Sequence, residues 1–108
     1  MIKLFIADDH ELFREGLKSL LSREKDIEIV GSASDGLEAV NAVRRLKPEV
    51  VLMDVTMPNM NGIQATAKIC SELPDIAVIV ISMHNDRRFI AEALKAGARG
   101  YVLKESSP

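Results

Sequence analysis

The sequence predicts an α/β fold in which helices cover both faces of one sheet of five parallel strands. Several short, β-branched runs are apolar without interruption, which is typical of strands buried on both faces. Amphipathic segments with apolar residues at helical spacing separate these runs. Strand and helix signals alternate along the whole chain, and that alternation favours a doubly wound parallel sheet.

The first half of the chain is predicted to form two strands and two helices. After the first strand, apolar residues between Leu12 and Leu21 recur at the spacing of a one-faced helix, which Asp9 or His10 would cap. The second strand alternates only in part, as an edge strand does. Ser34-Asp35-Gly36 opens the second helix, and Lys47-Pro48 ends it. The predicted strands are 3–7 and 27–33, and the predicted helices are 11–23 and 36–46.

The second half continues the alternation. A turn-rich loop from Thr56 to Gly62 precedes the third helix, which ends before Pro74, and Gly97 ends the fourth helix. Ser106-Ser107-Pro108 suits the start of a fifth helix, with a serine as N-cap and proline in the first turn, so that helix is expected to lie beyond this chain. The predicted strands are 49–53, 76–81 and 100–103, and the predicted helices are 63–73 and 86–96.

The expected strand order is 2-1-3-4-5, the flavodoxin-like arrangement, which places the first and third strands side by side at the switch point. In this fold the fifth helix would lie beside the first. Without it, apolar residues of the first helix (Phe13, Leu17 or Leu20) and part of the sheet should be exposed. The sequence therefore predicts either reduced stability or a homodimer that buries this surface.

Composition indicates one soluble globular domain of 108 residues, with 47% hydrophobic and 28% charged residues. The formal net charge of −2 and the lack of a basic stripe argue against nucleic-acid binding by these residues. No apolar stretch approaches the length of a membrane span, and no signal peptide is evident, so a cytoplasmic location without membrane attachment is expected. The single cysteine, Cys70, excludes an internal disulfide and is expected to be a small, partly buried packing residue.

Polar residues stand at the ends of three of the predicted strands. Asp8 and Asp9 follow the first strand, Asp54 follows the third, and Ser82 follows the fourth. Lys104 follows the fifth strand, next to Ser82. Ligands of open parallel sheets bind beyond the carboxyl ends of the strands, so these side chains are expected to share one pocket.

The three carboxylates predict a divalent cation site. Carboxylates in one cleft repel one another unless a cation joins them, and oxygen ligands favour a hard ion such as Mg²⁺, with Mn²⁺ as an alternative. A carboxylate held beside a metal, an ammonium and a hydroxyl is arranged for covalent phosphoryl transfer to that carboxylate. Lys104 would neutralise charge on the phosphoryl oxygens, and Ser82 would donate a hydrogen bond to one of them.

With these motifs in place, the chain resembles the receiver domains of two-component response regulators over essentially its whole length. The segments Asp8-Asp9-His10 with Arg14-Glu15-Gly16-Leu17, and Gly97-Ala98-Arg99-Gly100-Tyr101, look like the NarL/FixJ-like branch, whose members usually carry a LuxR-type helix-turn-helix after the receiver. The motifs that carry the resemblance are Ile6-Ala7-Asp8-Asp9-His10, Leu52-Met53-Asp54-Val55-Thr56-Met57-Pro58, Val80-Ile81-Ser82-Met83 and Gly100-Tyr101-Val102-Leu103-Lys104.

The resemblance implies roles for individual residues. Asp54 would be the phosphoacceptor, Asp9 would bind Mg²⁺ directly and Asp8 through water, and the Thr56 backbone carbonyl would be a further ligand. Ser82 and Tyr101 would form the switch pair, and Lys104 would sense the phosphoryl group. A separate hypothesis is that Thr56 and His84 set the lifetime of the acyl phosphate. Where the family usually has a proline after the lysine, this chain has Glu105.

The same resemblance implies the partners. A sensor histidine kinase would donate the phosphoryl group, and two copies of the chain could form a homodimer. DNA would be bound only through a C-terminal domain that is absent from this chain. The expected activity is regulatory: apart from its own phosphorylation and dephosphorylation, the domain is not predicted to be an enzyme.

Other functions remain open at this point. A Mg²⁺-dependent phosphohydrolase also uses an aspartyl nucleophile at a strand end, but Thr56 stands where such enzymes carry a second acid. A flavin-binding electron-transfer protein shares the sheet order, although aromatic residues make up only 4% of the chain. A third alternative is a degenerate receiver used only for interaction. Taken alone, Asp8-Asp9 would be a helix cap, Lys104 a solvated charge and Tyr101 a packing residue.

Overall fold

The computed structural model describes residues 1–83 and 87–104, and this part of the chain forms one parallel sheet flanked by helices. The strands are β1 Ile2–Ala7, β2 Ile27–Ala33, β3 Val50–Asp54, β4 Ala77–Ser82 and β5 Gly100–Leu103. The helices are α1 Glu11–Leu21, α2 Gly36–Leu46, α3 Gly62–Glu72 and α4 Arg87–Lys95. The strand order is β2-β1-β3-β4-β5, so the predicted fold class, strand order and edge position of β2 are confirmed.

Several boundaries differ from the sequence prediction by one or two residues, including the start of β1 at Ile2 and both ends of α3, which lies one residue earlier than predicted. Strands β3 and β4 each begin and end one residue later, so Asp54 and Ser82 are the last residues of their strands rather than the residues that follow. The reason is that backbone pairing continues past the apolar run: Asp54 pairs with Ile81, and Ser82 pairs with Leu103. Helix α1 ends at Leu21, because the N–H groups of Arg23 and Glu24 donate to carbonyls three residues back and no longer to carbonyls four residues back.

The caps of the helices show which local signals the chain uses. His10 occupies the N-cap position of α1 but makes no side-chain capping bond; its own N–H donates to Asp8 Oδ1 at 2.8 Å. Helix α2 begins within the predicted Ser34-Asp35-Gly36 segment, and the Asp35 side chain caps it. Asn61 and Gln64 form a reciprocal capping box at the start of α3. These caps fix where α2 and α3 begin relative to the strands before them.

The two faces of the sheet are covered unequally. On one face, strand residues such as Met53 and Val80 are fully buried in the main core with residues of α2, α3 and α4. On the other face, alternate residues such as Leu52 and Ile79 are only half-buried. The predicted exposure on α1 is seen at Leu20, which is 63% exposed, whereas Phe13 and Leu17 are half-buried.

The register of the strands aligns their carboxyl ends at one edge of the sheet. Ala7 pairs with Ala33 on one side and with Met53 on the other, and Ser82 pairs with Leu103. The residues that end or follow these strands therefore lie at the same level. In the described part of the chain every helix has 11 residues or fewer, and none could cross a bilayer.

Candidate functional site

Three aspartates meet at the carboxyl edge of the sheet. Asp8 follows β1 and Asp54 ends β3, and both are buried, with exposed fractions of 2% and 6%. Asp9 is exposed beside them. Each of the three offers a carboxylate oxygen, and these oxygens lie within 4.8 Å of one another. The side-by-side pairing of β1 and β3 is what produces this cluster.

Lys104, which follows the edge strand β5, extends along the carboxyl edge of the sheet to this cluster. Its Nζ atom lies 2.7 Å from Asp8 Oδ2 and 3.3 Å from Asp54 Oδ1. The aromatic ring of Phe13 lies beneath the ammonium, with 4.4 Å from Nζ to the ring centroid. The Lys104 backbone N–H donates to the Ser82 carbonyl at 2.7 Å, which fixes the start of the side chain.

The electrostatics of the site centre on Asp54. Burial is the main cause that raises the pKa of this carboxyl to about 6, and the nearby charge of Asp8 raises it further. Lys104 acts in the opposite direction through its charge and its hydrogen bond. Three ionised carboxylates and one ammonium leave a formal charge of −2 in a partly desolvated cleft. One lysine is therefore insufficient to balance the acids.

The donor set fits a hard divalent cation. All the ligand atoms offered are carboxylate oxygens. The formal charge of −2 that remains after pairing with Lys104 would be neutralised by one divalent cation. Within residues 1–83 and 87–104 no other group of acids, histidines or cysteines has comparable spacing. When bound, Mg²⁺ would neutralise charge that develops on phosphoryl oxygens, with Asp8, Asp9 and Asp54 as the side chains that hold it.

Of the remaining residues predicted for the site, Thr56 lines the same cleft, which has a volume of about 480 Å³, whereas Ser82 and Tyr101 lie on β4 and β5 and are not among its lining residues. Ser82 is buried at the end of β4, and Thr56 is exposed just after β3. Tyr101 is half-buried on β5, where it pairs with Val80. His84 and the Lys104–Glu105 peptide bond lie outside the described residues. The cleft is lined by Asp9, His10, Asp54, Thr56, Met83 and Lys104.

Two contacts in the site were not predicted from the sequence. Arg14 Nη1 donates to the Asp8 backbone carbonyl at 2.7 Å and so secures the β1–α1 turn. Phe13, expected to be exposed packing surface, instead supports the Lys104 ammonium. Both lie in the first turn of α1. Helical spacing could suggest that they are near the site, but it does not report which way a side chain turns.

Comparisons with known proteins agree with this geometry. The sequence matches the family described as the response regulator receiver domain over residues 4–108. It is 45% identical to the transcriptional regulatory protein DegU of Brevibacillus brevis over 104 residues, which are 96% of this chain and 44% of that protein. The chain spans about half the length of the curated relatives it matches.

Solved structures show the same arrangement of the chain. The receiver domain of the putative response regulator NarL from Mycobacterium tuberculosis superposes with a TM-score of 0.92 at 37% identity, covering 98% of this chain and 86% of that one. A chain of the CheX-CheY-BeF3-Mg²⁺ complex from Borrelia burgdorferi gives a TM-score of 0.91 at 27% identity, covering 98% and 80%. The chain therefore belongs to the response regulator receiver domain family, among relatives of the DegU and NarL type.

Proposed function

We propose that Asp54 is the phosphoacceptor of this receiver domain and that a divalent cation, Mg²⁺ or Mn²⁺, is required for its phosphorylation. The observation that carries the proposal is the Asp8–Asp9–Asp54 cluster with Lys104 between two of its members. A buried carboxylate that faces a cleft, with a lysine at hydrogen-bonding distance, has the features of a nucleophile for phosphoryl transfer. The Mg²⁺ in the Borrelia burgdorferi complex supports the choice of metal.

The proposed reaction forms one bond and breaks one. A carboxylate oxygen of Asp54 attacks phosphorus, and the bond between phosphorus and the donor breaks, with its electron pair leaving on the donor. The donor is a sensor histidine kinase carrying a phosphohistidine, and its imidazole leaves. Lys104 is placed to neutralise charge on the phosphoryl group, because its Nζ already lies 3.3 Å from Asp54 Oδ1.

Phosphorylation would change the charge at the end of β3 and so bias the structure between two states. The acyl phosphate adds about one negative charge to Asp54. Ser82, buried at the end of the neighbouring strand, is proposed to donate a hydrogen bond to the new group, and Tyr101 to follow it. Thr56, exposed in the same cleft, and His84, which is outside the described residues, are proposed to set the lifetime of the acyl phosphate.

The output of this switch is proposed to be transcriptional. The relatives are transcriptional regulatory proteins about twice as long as this chain. We infer a C-terminal helix-turn-helix domain in the parent protein, through which alone DNA would be bound. A homodimer of residues 1–108 is proposed as well, because the half-covered sheet face and the exposed Leu20, which a fifth helix would cover in the parent protein, leave apolar surface for a second copy.

The test is labelling by a small phosphodonor. The purified protein is incubated with acetyl phosphate and Mg²⁺, and the adduct is followed by intact mass and mapped by peptide analysis. We expect a labile adduct on Asp54 that requires Mg²⁺, and we expect Asp54→Asn to abolish it. Asp75→Asn is the matched control, because Asp75 is an exposed acid that precedes β4, at the opposite end of the strand from Ser82.

Labelling that persists in Asp54→Asn, or that is independent of a divalent cation, would contradict the proposal. The same samples distinguish the enzymatic alternative. A phosphohydrolase would turn over an external phosphoester such as p-nitrophenyl phosphate continuously, whereas a receiver is expected to release phosphate only at the rate at which its own acyl phosphate decays.

A further inference from the structure

The loop between β3 and α3, residues 55–61, is held at both of its ends. We call it the acceptor loop, because it follows Asp54 directly and contains Thr56. The Gly62 N–H donates to the Val55 carbonyl at 2.8 Å, and a Cβ atom on Gly62 would lie 1.8 Å from the Asp54 carbonyl oxygen. The capping box of α3 fixes the same end of the loop. The chain thus leaves the phosphoacceptor and enters α3 through a closed turn.

The apex of the acceptor loop is tied to a different helix. Asn59 has a left-handed backbone with φ of 67°, and its Nδ2 donates to Asp35 Oδ2 at 3.2 Å. The other oxygen of the same carboxylate, Oδ1, accepts from the Glu38 N–H at 2.7 Å and caps α2. One carboxylate therefore joins the start of α2 to the loop apex.

Close backbone packing reinforces this contact. A Cβ atom on Gly36, the first residue of α2, would lie 1.9 Å from the Met60 carbonyl oxygen. Only glycine allows the start of the helix to lie this close to the loop. The side chains of Asp35 and Asn59 are thus brought together by a backbone contact, and their hydrogen bond fixes the orientation of the loop within that contact.

We propose that the hydrogen bond between Asp35 and Asn59 is a positioning element that sets the affinity of the site for its divalent cation. The inference rests on the proposed function. Asp8 and Asp54 belong to, or directly follow, strands held by the sheet, whereas the Thr56 carbonyl would be supplied by a loop. The position of that carbonyl depends on the loop being held, and Asp35 and Asn59 hold its apex without touching the metal themselves.

The proposal can be tested by exchanging the two side chains of this hydrogen bond, so that position 35 carries the amide and position 59 the carboxylate. Asn59→Asp removes the donor and sets two carboxylates against each other, while aspartate still tolerates the left-handed backbone. In the double variant Asp35→Asn with Asn59→Asp, the amide at position 35 can donate to the carboxylate at position 59, and its oxygen can still cap α2. The double variant also has the net charge of the unsubstituted protein. Asn41→Asp, on the exposed surface of α2, controls for the added charge.

Binding of Mg²⁺ is measured by isothermal titration calorimetry at pH 7.5. We expect Asn59→Asp to raise the dissociation constant about fivefold, the effect of losing one hydrogen bond, although its extra negative charge alone would lower it. The double variant should return to within about twofold of the unsubstituted protein. Asn59→Gly, which keeps the left-handed backbone but lacks the donor, should weaken binding in the same way.

Equal Mg²⁺ affinity in the unsubstituted protein, Asn59→Asp and Asn59→Gly would overturn the positioning role and leave the proposed function intact. Failure of the double variant to recover affinity would also count against it. Absence of Mg²⁺ binding in the unsubstituted protein would overturn the proposed function and this inference with it. Far-ultraviolet circular dichroism of each variant verifies that all are folded.

Discussion

At the scale of single residues, the ionised form of Asp54 destabilises the folded protein. The carboxyl is buried at the end of a strand beside the like charge of Asp8, and both effects raise its pKa to about 6. Lys104 offsets only part of this. A carboxylate that is poorly solvated and incompletely paired is more reactive than the same carboxylate in water, and it makes the folded protein less stable.

The raised pKa of Asp54 predicts how stability depends on pH. Between pH 4 and 6 the folded protein binds a proton that the unfolded chain has released, so the free energy of unfolding should fall as pH rises through this range. Asp54→Asn removes the ionisation. In the absence of metal it should be more stable than the unsubstituted protein at pH 7.5, by about 1–3 kcal/mol, and equally stable near pH 3.5.

Urea unfolding at several pH values in the presence of a chelator measures this difference. Asp26→Asn, which removes an exposed acid from the loop before β2, controls for the change in net charge. A stability difference between Asp54→Asn and the unsubstituted protein that is the same at pH 3.5 and pH 7.5 would show that ionisation of Asp54 is not its cause.

At the scale of secondary structure elements, the turn from β3 into α3 is so closely packed that no side chain fits at Gly62. Gly62 lies against the Asp54 backbone, so the helix begins in direct contact with the end of β3. Gly16, in the middle of α1, is the opposite case: it is exposed, and a Cβ atom there would have no neighbour within 4 Å.

These two glycines predict changes of opposite sign. Gly62→Ala should destabilise the protein by about 2–4 kcal/mol, because the new methyl group overlaps backbone that has no free space to move into. Gly16→Ala should stabilise it by about 0.5–1 kcal/mol, because alanine loses less conformational entropy in a helix. Both are measured by urea unfolding. If Gly62→Ala were as stable as the unsubstituted protein, the turn would have to be looser than described.

Most of the elements could be predicted from the sequence, because the signals that define them are local. The apolar runs predicted every strand to within one residue, and Ser34-Asp35-Gly36 was identifiable as the start of α2. Backbone pairing was less predictable: hydrogen bonding carries β3 and β4 one residue further, to Asp54 and Ser82, and no side-chain pattern reports this.

At the scale of the whole molecule, the metal site should contribute to stability. The cluster of three acids and Lys104 has a formal charge of −2 before a cation binds. Binding to the folded state alone stabilises it by about 2.7 kcal/mol when free Mg²⁺ is one hundred times its dissociation constant. We expect Mg²⁺ to raise the free energy of unfolding at pH 7.5 by this amount, and much less at pH 5, where Asp54 is protonated.

Asp9→Asn should lose most of this stabilisation, while Asp75→Asn should retain it. A chelator should reverse the effect in the unsubstituted protein. Equal stabilisation by Mg²⁺ in Asp9→Asn and Asp75→Asn would indicate that the ion acts by general screening and not at the acidic cluster.

The composition of the site could be predicted, but its internal contacts could not. The parallel sheet brings Asp8, Asp9 and Asp54 together because strand order alone decides which strand ends are neighbours. The support of Lys104 by Phe13 and the bond between Asp35 and Asn59 depend on side-chain rotamers and on a left-handed residue. Those details arise from packing between segments that are distant in sequence. Hydrophobic periodicity within one segment contains no information about such packing.

The side chain of Lys104 connects the acidic cluster to an edge of the sheet. Strand β5 is an edge strand, yet the side chain of Lys104, the residue after it, extends past the ends of β4 and β3 to contact Asp8 at the end of β1. Thermodynamic coupling between two sites is reciprocal. A macromolecule that binds this edge strand more tightly when Asp54 is phosphorylated must therefore stabilise the phosphorylated form of Asp54. The two effects are equal in free energy.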